Sequence, residues 1–533
     1  MQKSAKHILA KAEQLFEIRK PLINMWQSIA DNFYPIRADF DNGAAQRRTI
    51  LEPADWLADS YPIICHRDLA NSIDSMLRDG NWFELTLGSG DEPDHVGKLW
   101  LDDSTRRMRA AMGMRESGFS RATKQGDMDY AAFGQCVITV DTDPLRGNLI
   151  YQNWHLRDVA WFDDEAGNIS GVVRKWHPTR DTLMRLFGSE RLDDKIVKGW
   201  RKNPFEKEEF MHVVFPATIF DSYDEPKHKY ICFYIDVKNK KIVEEVPSEF
   251  QKYVIPRFFT LAESAYAYSP ATMAALPDAR TLQAMTFTLL EAAERYARPP
   301  MVATTNVING VVDLRPDGIT WVDNQYDERM GAGLRTLQQD KSGYPIGQHE
   351  RSRVVEVMKE AFFLDKIELP QKEAEMTAYE MSERMKEYRR QVLPLFKPLE
   401  IEYNGQICET TFNIMFQRGF FGSPYDVPES LQGRDVEFKY KSPLATSEEE
   451  ARMAKLSQIQ QEMSMAIQID PTVHHVVDFQ EALRSSIEGI NVPQEWLRDA
   501  EMVAELIDQD KQQAEVMQAA ETMGAAMSGG PVQ

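Results

Sequence analysis

Carboxylate pairs, histidine pairs and glycine-rich turns are where this sequence could do chemistry. Asp163 and Asp164 are neighbours ahead of Gly167, and two such acids could hold a divalent metal for hydrolysis. Adjacent acids in a turn are far more often solvated turn residues, which is the preferred reading. Asp141-Thr142-Asp143 starts like a calcium loop, but no glutamate stands in the twelfth place. Gly97-Lys98 lacks the earlier glycine that a phosphate-cradling GxxxxGK(S/T) loop needs, and Gly88-Ser89-Gly90 stops short of a dinucleotide fingerprint. His349-Glu350 lacks the second histidine of a zinc helix, and His474-His475 reads as a surface or packing pair. No Ser/His/Asp or Cys/His set assembles. The reading is therefore not an enzyme, with no cofactor and no metal.

Charge sets a second bound. The 533 residues hold 83 Asp/Glu against 62 Lys/Arg, a formal net charge of −21. That argues against tight, non-specific nucleic-acid binding, which needs many Lys/Arg–phosphate contacts. It leaves room for a surface that DNA must pass without sticking. More than half of the excess lies at the end, where residues 446–533 hold 16 Asp/Glu and 5 Lys/Arg. The cysteines (Cys65, Cys136, Cys232 and Cys408) are scattered without a CxxC pair, which fits a reducing compartment and no structural metal. Met1–Lys11 is basic but no apolar core follows, so no signal peptide is expected; nor is a membrane span, since no run of 18 apolar residues occurs.

The element around which the rest is arranged starts at Met376-Thr377-Ala378-Tyr379-Glu380. Thr377 and Glu380 have the spacing of a capping box. Apolar residues then fall at Met381, Met385, Tyr388, Val392, Leu395, Leu399, Tyr403, Ile407, Ile414 and Met415, one stripe on a helix. Pro394 and Pro398 predict a kink near Val392–Leu395. Forty residues at a rise of 1.5 Å give roughly 60 Å, too long for a small local core to bury.

Ahead of it, residues 4–33 read as a helix with Pro21 inside, residues 55–79 as a second, and Asn81–Leu87 as a strand. Leu99–Ser117 and Ser120–Phe133 are helical. The period then changes to two, with strands at Val137–Val140, Leu149–Tyr151, Val159–Phe162, Val172–Trp176, Met211–Phe215, Ile231–Val237 and Tyr253–Phe259, and a helix at Thr179–Phe187 between them. Ser269-Pro270 predicts a helix start with Ser269 as cap, and Pro277 a break in its first turn. The stripe Leu282, Met285, Leu289, Ala293, Tyr296 runs to Pro299-Pro300. Residues 301–343 differ in character, with short strands at Met301–Asn306, Val311–Leu314 and Ile319–Val322, before a helical pattern resumes through Val354, Met358 and Ala361. Two antiparallel helices would then form a stalk carrying this insert. Gly433–Ser442 reads as a strand and 451–523 as acidic helices.

Four stretches in this order resemble the head-to-tail connecting, or portal, proteins of short-tailed, T7-like bacteriophages. They are Arg19-Lys20-Pro21 with Trp26 and Tyr34-Pro35-Ile36-Arg37; Tyr266-Ala267-Tyr268-Ser269-Pro270 with Ala275-Leu276-Pro277-Asp278 and Arg298-Pro299-Pro300; Met376–Glu380 with Arg384 and the Pro394/Pro398 helix; and Val492-Pro493-Gln494-Glu495-Trp496-Leu497-Arg498. Ala267 stands where the family usually has glycine. The resemblance implies a helix-rich α+β subunit of a ring, generally of twelve, at one vertex of the capsid.

In that frame residues 1–265 are a wing of helices and antiparallel sheet, 266–299 the first stem helix and 300–343 a small α/β clip. Residues 344–364 are the second stem helix, 365–376 a tunnel loop, 377–442 a long kinked wing helix with a strand, and 443–533 an acidic helical crown. The implied partners are further copies of the chain, double-stranded DNA passing through the channel, the terminase large subunit, a tail adaptor, and the major capsid and scaffolding or internal core proteins, with no membrane. Assembly in the host cytoplasm and a place at the portal vertex of the virion follow from the same resemblance. Lys366 and Lys372 would touch DNA from the tunnel loop, and Arg280, Arg295, Arg351 and Arg353 from the stem. Arg315, Asp317, Trp321, Arg329 and Arg335 would dock the adaptor from the clip. The alternatives are a non-viral oligomeric scaffold, and an enzyme using Asp163 and Asp164.

Overall fold

Five antiparallel strands in the order β4-β5-β6-β7-β8 form the main sheet: β4 (Val159–Asp163), β5 (Ile169–Trp176), β6 (Phe210–Pro216), β7 (Tyr230–Asp236) and β8 (Lys241–Ser248). Its register sets Val172 opposite Val214 and Val213 opposite Phe233. One face is covered by α1 (Ala5–Phe33), whose Ile8, Leu9, Ala12 and Phe16 pack with Ala160, Val173, Met211, Val213 and Phe233. The structure, a computed structural model, describes residues 3–40, 57–88, 93–144, 146–220, 228–261, 264–303, 334–336, 343–367, 378–423, 426–441, 453, 455–464 and a few helical positions between 482 and 512.

The chain divides into two units, residues 1–73, 121–139 and 152–395, and residues 74–120, 140–151 and 396–533. The first holds the main sheet and α1. Within it Arg19 explains part of the Arg19-Lys20-Pro21 stretch. Its guanidinium is buried, donates to the carbonyls of Leu156 and Val159 and, at 2.8 Å, of Arg157, and lies 4.9 Å from the Phe16 ring. Burial lowers its pKa to about 10. It fastens the helix to the chain entering β4, so its charge serves packing. The same unit holds the hairpin helices α5 (Arg180–Arg191) and α6 (Asp194–Lys202), which pack through Leu183, Phe187, Leu192 and Ile196 on Phe210 and Val243. It also contains most of α2 (Tyr61–Leu77) and of α4 (Phe119–Phe133), the short strands β9 (Tyr253–Val254), β10 (Phe259–Thr260) and β11 (Ala267–Tyr268), and all of α7 (Pro270–Ala297), α8 (Gly343–Ala361) and α9 (Leu364–Ile367).

The second unit is built on β1 (Phe83–Leu87) and β14 (Val436–Tyr440), paired antiparallel with Phe83 opposite Tyr440 and Leu85 opposite Phe438. Phe83 and Phe412 both set their rings edge-on to Phe438. Here α3 (His95–Gly113) is capped by Asp94, whose side chain accepts from Gly97 N. The strands β2 (Val137–Thr142) and β3 (Leu149–Trp154) are shared along the chain between the two ranges.

The long helix is present as α10 (Ala378–Leu399), a π-helical stretch over Glu400–Gly405, and α11 (Gln406–Gln417). It runs as α-helix through Val392–Leu395, where the prolines predict a kink; the departure from α geometry comes a turn later. There Tyr403 and Asn404 are turned inward, and Asn404 donates from Nδ2 to Leu77 O at 3.0 Å. An extra residue in the turn satisfies a helix-terminal carbonyl of α2. Thr377, half of the expected capping box, lies outside the described residues, as do the expected strands Val311–Leu314 and Ile319–Val322 and most of 451–523.

Candidate functional site

The region whose construction bears on function is the helical hairpin α7/α8. Its foot is set by a close approach. Gly134, at the end of α4, has φ +73°, and a Cβ there would lie 2.1 Å from the backbone carbon of Tyr268 and 2.3 Å from Ser269 N. Only glycine lets α4 meet the start of α7 this closely. Ser269 stands at the N-cap, but its hydroxyl makes no cap bond; it donates instead to Ala131 O at 2.7 Å. Thr272 Oγ1 donates to Ala132 O at 2.7 Å. Both side chains serve the orphan carbonyls at the end of α4 in place of the amides of α7. Pro277 does not break the helix, which continues from Pro270 to Ala297. Pro277 and Met273 lie on its exposed face, so water can serve the carbonyl left without a donor.

One turn further on, Asp59 gathers three elements. Its backbone N–H and that of Ala58 donate to Gln283 Oε1 at 2.9 and 2.8 Å, and Gln283 Nε2 donates to Asp59 O at 2.7 Å. Its buried carboxylate accepts from Tyr61 N at 3.0 Å, Thr286 Oγ1 at 3.1 Å and Arg351 Nε at 3.0 Å, with Arg351 Nη2 as a second donor. The residues leading into α2 are thereby tied to both helices of the hairpin.

Beyond Asp59 the two helices lean on one another. Arg351 lies by Thr286 at 3.4 Å, Gly347 faces Leu289, and the rings of Tyr296 and Tyr344 meet edge-on at 5.7 Å. Falling numbers on α8 against rising numbers on α7 make the pair antiparallel. The pair continues into β12 (Met301–Ala303) and β13 (Leu334–Thr336), with Val302 opposite Arg335. A helix pair carrying an insert between its ends was expected, and the described ends of that insert are paired strands. The β13 strand had no signal in the sequence reading.

The burial of α7 changes along its length. Its buried residues are Ala271, Thr272, Ala275, Ala279, Leu282 and Gln283, and none follows. Further out, Phe287 is 48% and Leu290 53% exposed, and on α8 Ile346 is 64% exposed. Val354 and Met358 are the buried residues of α8.

Of the residues expected to touch DNA, Arg280 is exposed on α7. Arg295 is exposed and pairs loosely with Glu291 at 3.6 Å, and Arg353 is exposed and pairs with Glu350 at 2.9 Å. Arg351 is held at the hairpin's foot by Asp59. Lys366, in α9, lies 5.7 Å from the Phe363 ring, and Phe363 has a left-handed φ of 57° where the chain turns from α8 into α9. Tyr388 donates to Ile367 O at 3.0 Å, fixing the end of that turn. Lys372, Arg315, Asp317, Trp321 and Arg329 lie outside the described residues, and Arg335 is described by its backbone in β13 alone.

The acids weighed for a metal are placed as a turn: Asp164 Oδ1 accepts from Ala166 N at 3.0 Å and Asn168 N at 2.8 Å. Among the described residues, no group of three or more His, Cys, Asp or Glu could hold a metal ion. The four cysteines are buried free thiols. Burial pushes the Cys65 thiol up to about 11, which keeps it protonated and unreactive.

Sequence reasoning missed Asp59, Gln283 and Gly134. Asp59-Ser60-Tyr61-Pro62 does carry a helix-start signal, a short polar pair before proline, that was absorbed into a helix read as starting at residue 55. Gln283 and Gly134 have no local signature, because each is defined by a partner more than a hundred residues away.

The model of the bacteriophage head to tail connecting protein family matches residues 5–497 of the chain. The chain belongs to this family. It is a component of the phage particle where head meets tail, and the reading as a non-viral scaffold is set aside. The portal protein of Salmonella phage epsilon15 is 23% identical over 544 residues, covering 98% of this chain and 94% of that one. Among solved structures, the virion of a native gene transfer agent particle aligns with a TM-score of 0.35 and 12% identity, over 75% of this chain and 86% of that chain. The neck of an empty particle of the same kind, computed with C6 symmetry, gives a TM-score of 0.34 at 12% identity. No helix among the described residues is long and apolar enough to cross a membrane.

Proposed function

We propose that this connector is a portal subunit, whose copies close into a ring of twelve at one capsid vertex around an axis that double-stranded DNA enters and leaves. The observation that carries the reading is the uncovered outer half of the hairpin. Phe287 and Leu290 on α7 and Ile346 on α8 are large, apolar and exposed beyond a firmly anchored foot. A head-to-tail contact between neighbours would bury this surface on every subunit, and such a contact closes into a ring when the rotation fits.

In this reading α7 and α8 are the stem and residues 300–343 the clip, which docks the terminase large subunit during packaging and the tail adaptor afterwards through Arg315, Asp317, Trp321, Arg329 and Arg335. Residues 365–376, with Lys366 and Lys372, face the DNA. The main sheet with α1, and the long helix, form the wing against the major capsid protein. The acidic residues 443–533 form the crown toward scaffolding or internal core proteins. The role is mechanical and electrostatic, with no catalytic step. Fixed negative charge repels phosphates over a Debye length of about 8–10 Å, while a few cations make brief contacts. Arg280, Arg295 and Arg353 are exposed in a way that suits this; Arg351 contributes mainly by holding the stem.

Mass measurement and negative-stain imaging of the purified full-length chain test the proposal. Twelve copies of 61.3 kDa make an annulus of about 0.74 MDa with a central hole. A stable 61.3 kDa monomer under assembly conditions, or a ring too narrow for a duplex, overturns it.

A further inference from the structure

In a chain of net charge −21, residues 195–207 run the other way, with five Lys/Arg (Lys195, Lys198, Arg201, Lys202, Lys207) and one acid, Glu206. The first four lie on α6, and Lys195, Lys198 and Lys202 share a face at spacings of three and four. Ile196 is buried on the opposite side among Leu183, Phe187, Leu192, Phe210 and Val243, so the helix presents its basic face outward on a fixed support. All five cations are exposed.

The neighbouring cations show what structural pairing looks like here. Arg180 is held by Glu206 and Glu208, Arg185 by Asp181 at 3.0 Å, and Arg191 by Glu244. Among the described residues no such partner stands within ion-pair distance of Lys195, Lys198, Arg201, Lys202 or Lys207. The acids of the helix are used elsewhere: Asp193 caps it, accepting from Lys195 N at 2.9 Å, and Asp194 sits in its first turn. Helix-dipole compensation accounts for Arg201 and Lys202 in the last turn, but not for Lys195 and Lys198 in the first two.

From this we infer that α6 is a surface for the phosphate backbone of duplex DNA lying outside the channel. The composition favours phosphate over an acidic protein surface. Four of the five cations are lysines, which act as strongly hydrated point charges that need no fixed partner geometry. Lysine is also depleted from protein–protein interfaces, where Arg and aromatics dominate. The inference is independent of the ring: it concerns DNA that does not pass through the axis.

The test uses the full chain and a relaxed, covalently closed circular duplex, which has no end to thread through a closed ring. Its retention is followed across a salt series for the parent and for the variant Lys195→Gln/Lys198→Gln/Arg201→Gln/Lys202→Gln. The parent is expected to retain the circle with a steep salt dependence. The variant should lose about tenfold or more at low salt, and its log–log slope should be shallower by about 0.9 for each phosphate contact removed. Arg185→Gln, which removes a paired cation, should leave the slope unchanged. If the fourfold variant unfolds, Lys195→Gln/Lys198→Gln asks the same question with about half the change in slope. Equal retention by parent and variant, or none by the parent at low salt, overturns the inference. So does displacement by polyglutamate at a lower charge concentration than by competitor duplex, which would make the partner an acidic protein.

Discussion

The two halves of α7 follow opposite rules. From Pro270 to Gln283 the buried side chains are small or polar (Ala271, Thr272, Ala275, Ala279, Gln283) with Leu282 as the one large apolar residue. From Ala284 onward the large apolar residues Phe287 and Leu290 are exposed. A helix that answered only to its own chain would put its bulk at the anchored end and polar groups at the free end. Here the anchored end is built for close approach and hydrogen bonding, and the bulk is held outward. Burying a Phe or Leu side chain contributes about 1.5–3 kcal/mol each, and this chain leaves that contribution to be made by something else.

The sharpest way to break the contrast is at the foot. Gly134→Ala places a methyl group against the backbone of Tyr268 and Ser269 at a left-handed φ, where no flexible side chain can give way. A loss of about 3–5 kcal/mol is expected, at the upper end for single substitutions. Denaturant unfolding of the full chain measures it; a loss under about 1 kcal/mol would mean that the foot yields and that the anchored half is not rigid.

Asp59 comes next. Asp59→Ala removes the acceptor shared by Tyr61 N, Thr286 and Arg351 and should cost about 2–4 kcal/mol, with Arg351→Ala costing less because Arg351 is partly exposed. A double-mutant cycle between the two should give a coupling of about 1–2 kcal/mol. A coupling near zero would show that the carboxylate serves Tyr61 N and Thr286 and does not clamp α8.

How these features read in sequence follows from the range over which each is determined. Four strands of the main sheet, the extent of α1 and the two ends of α7 were legible because hydrophobic period and turn residues are local. The β8 strand was not: Lys241–Ser248 is a sheet-edge strand with Lys241, Glu244 and Glu245 along it and Pro247 near its end, features that blunt an edge and erase the alternation. Helix α6 is short, and Gly199 obscures its stripe. Pro277 misled because the cost of a proline depends on whether the freed carbonyl can reach water, which sequence does not display. The stem as a pair of helices was legible; the Asp59 clamp was not, since it needs partners 224 to 292 residues apart.

Stability should also respond to acid, through two buried histidines outside α7. His66 is buried against Tyr34, with its Nε2 2.8 Å from Met128 O, and burial lowers its pKa against the weaker opposing effects of that hydrogen bond and Asp129. His212, buried in the sheet beside Tyr234, is lowered further by burial, with Arg174 and Lys252 acting in the same direction. Both are neutral in the fold and take up protons on unfolding near the ordinary value of 6.5. The stability they confer is present above that pH and is lost as pH falls below it, by about 1.4 kcal/mol per pH unit for each histidine until its folded pKa is reached. His66→Gln should remove one such increment from the slope of stability against pH. An unchanged slope would mean that His66 already titrates in the folded state.

The smallest effect on folding is expected at the free end, and there it is the most informative. Phe287→Ser with Leu290→Ser removes two exposed apolar side chains, so the stability of the isolated chain should change by no more than about 0.5 kcal/mol. If those side chains are the contact between neighbours, the same substitutions should abolish the annulus and leave a folded 61.3 kDa species. The two readouts separate two physical cases. Loss of assembly at constant stability places the apolar surface in an interface between copies, a dominant contribution of the kind few residues make. Loss of stability together with assembly would mean that Phe287 and Leu290 are covered within their own chain, and the contrast between the halves of α7 would disappear. Retained assembly at constant stability would leave the surface free in the ring and move the subunit contact to another face.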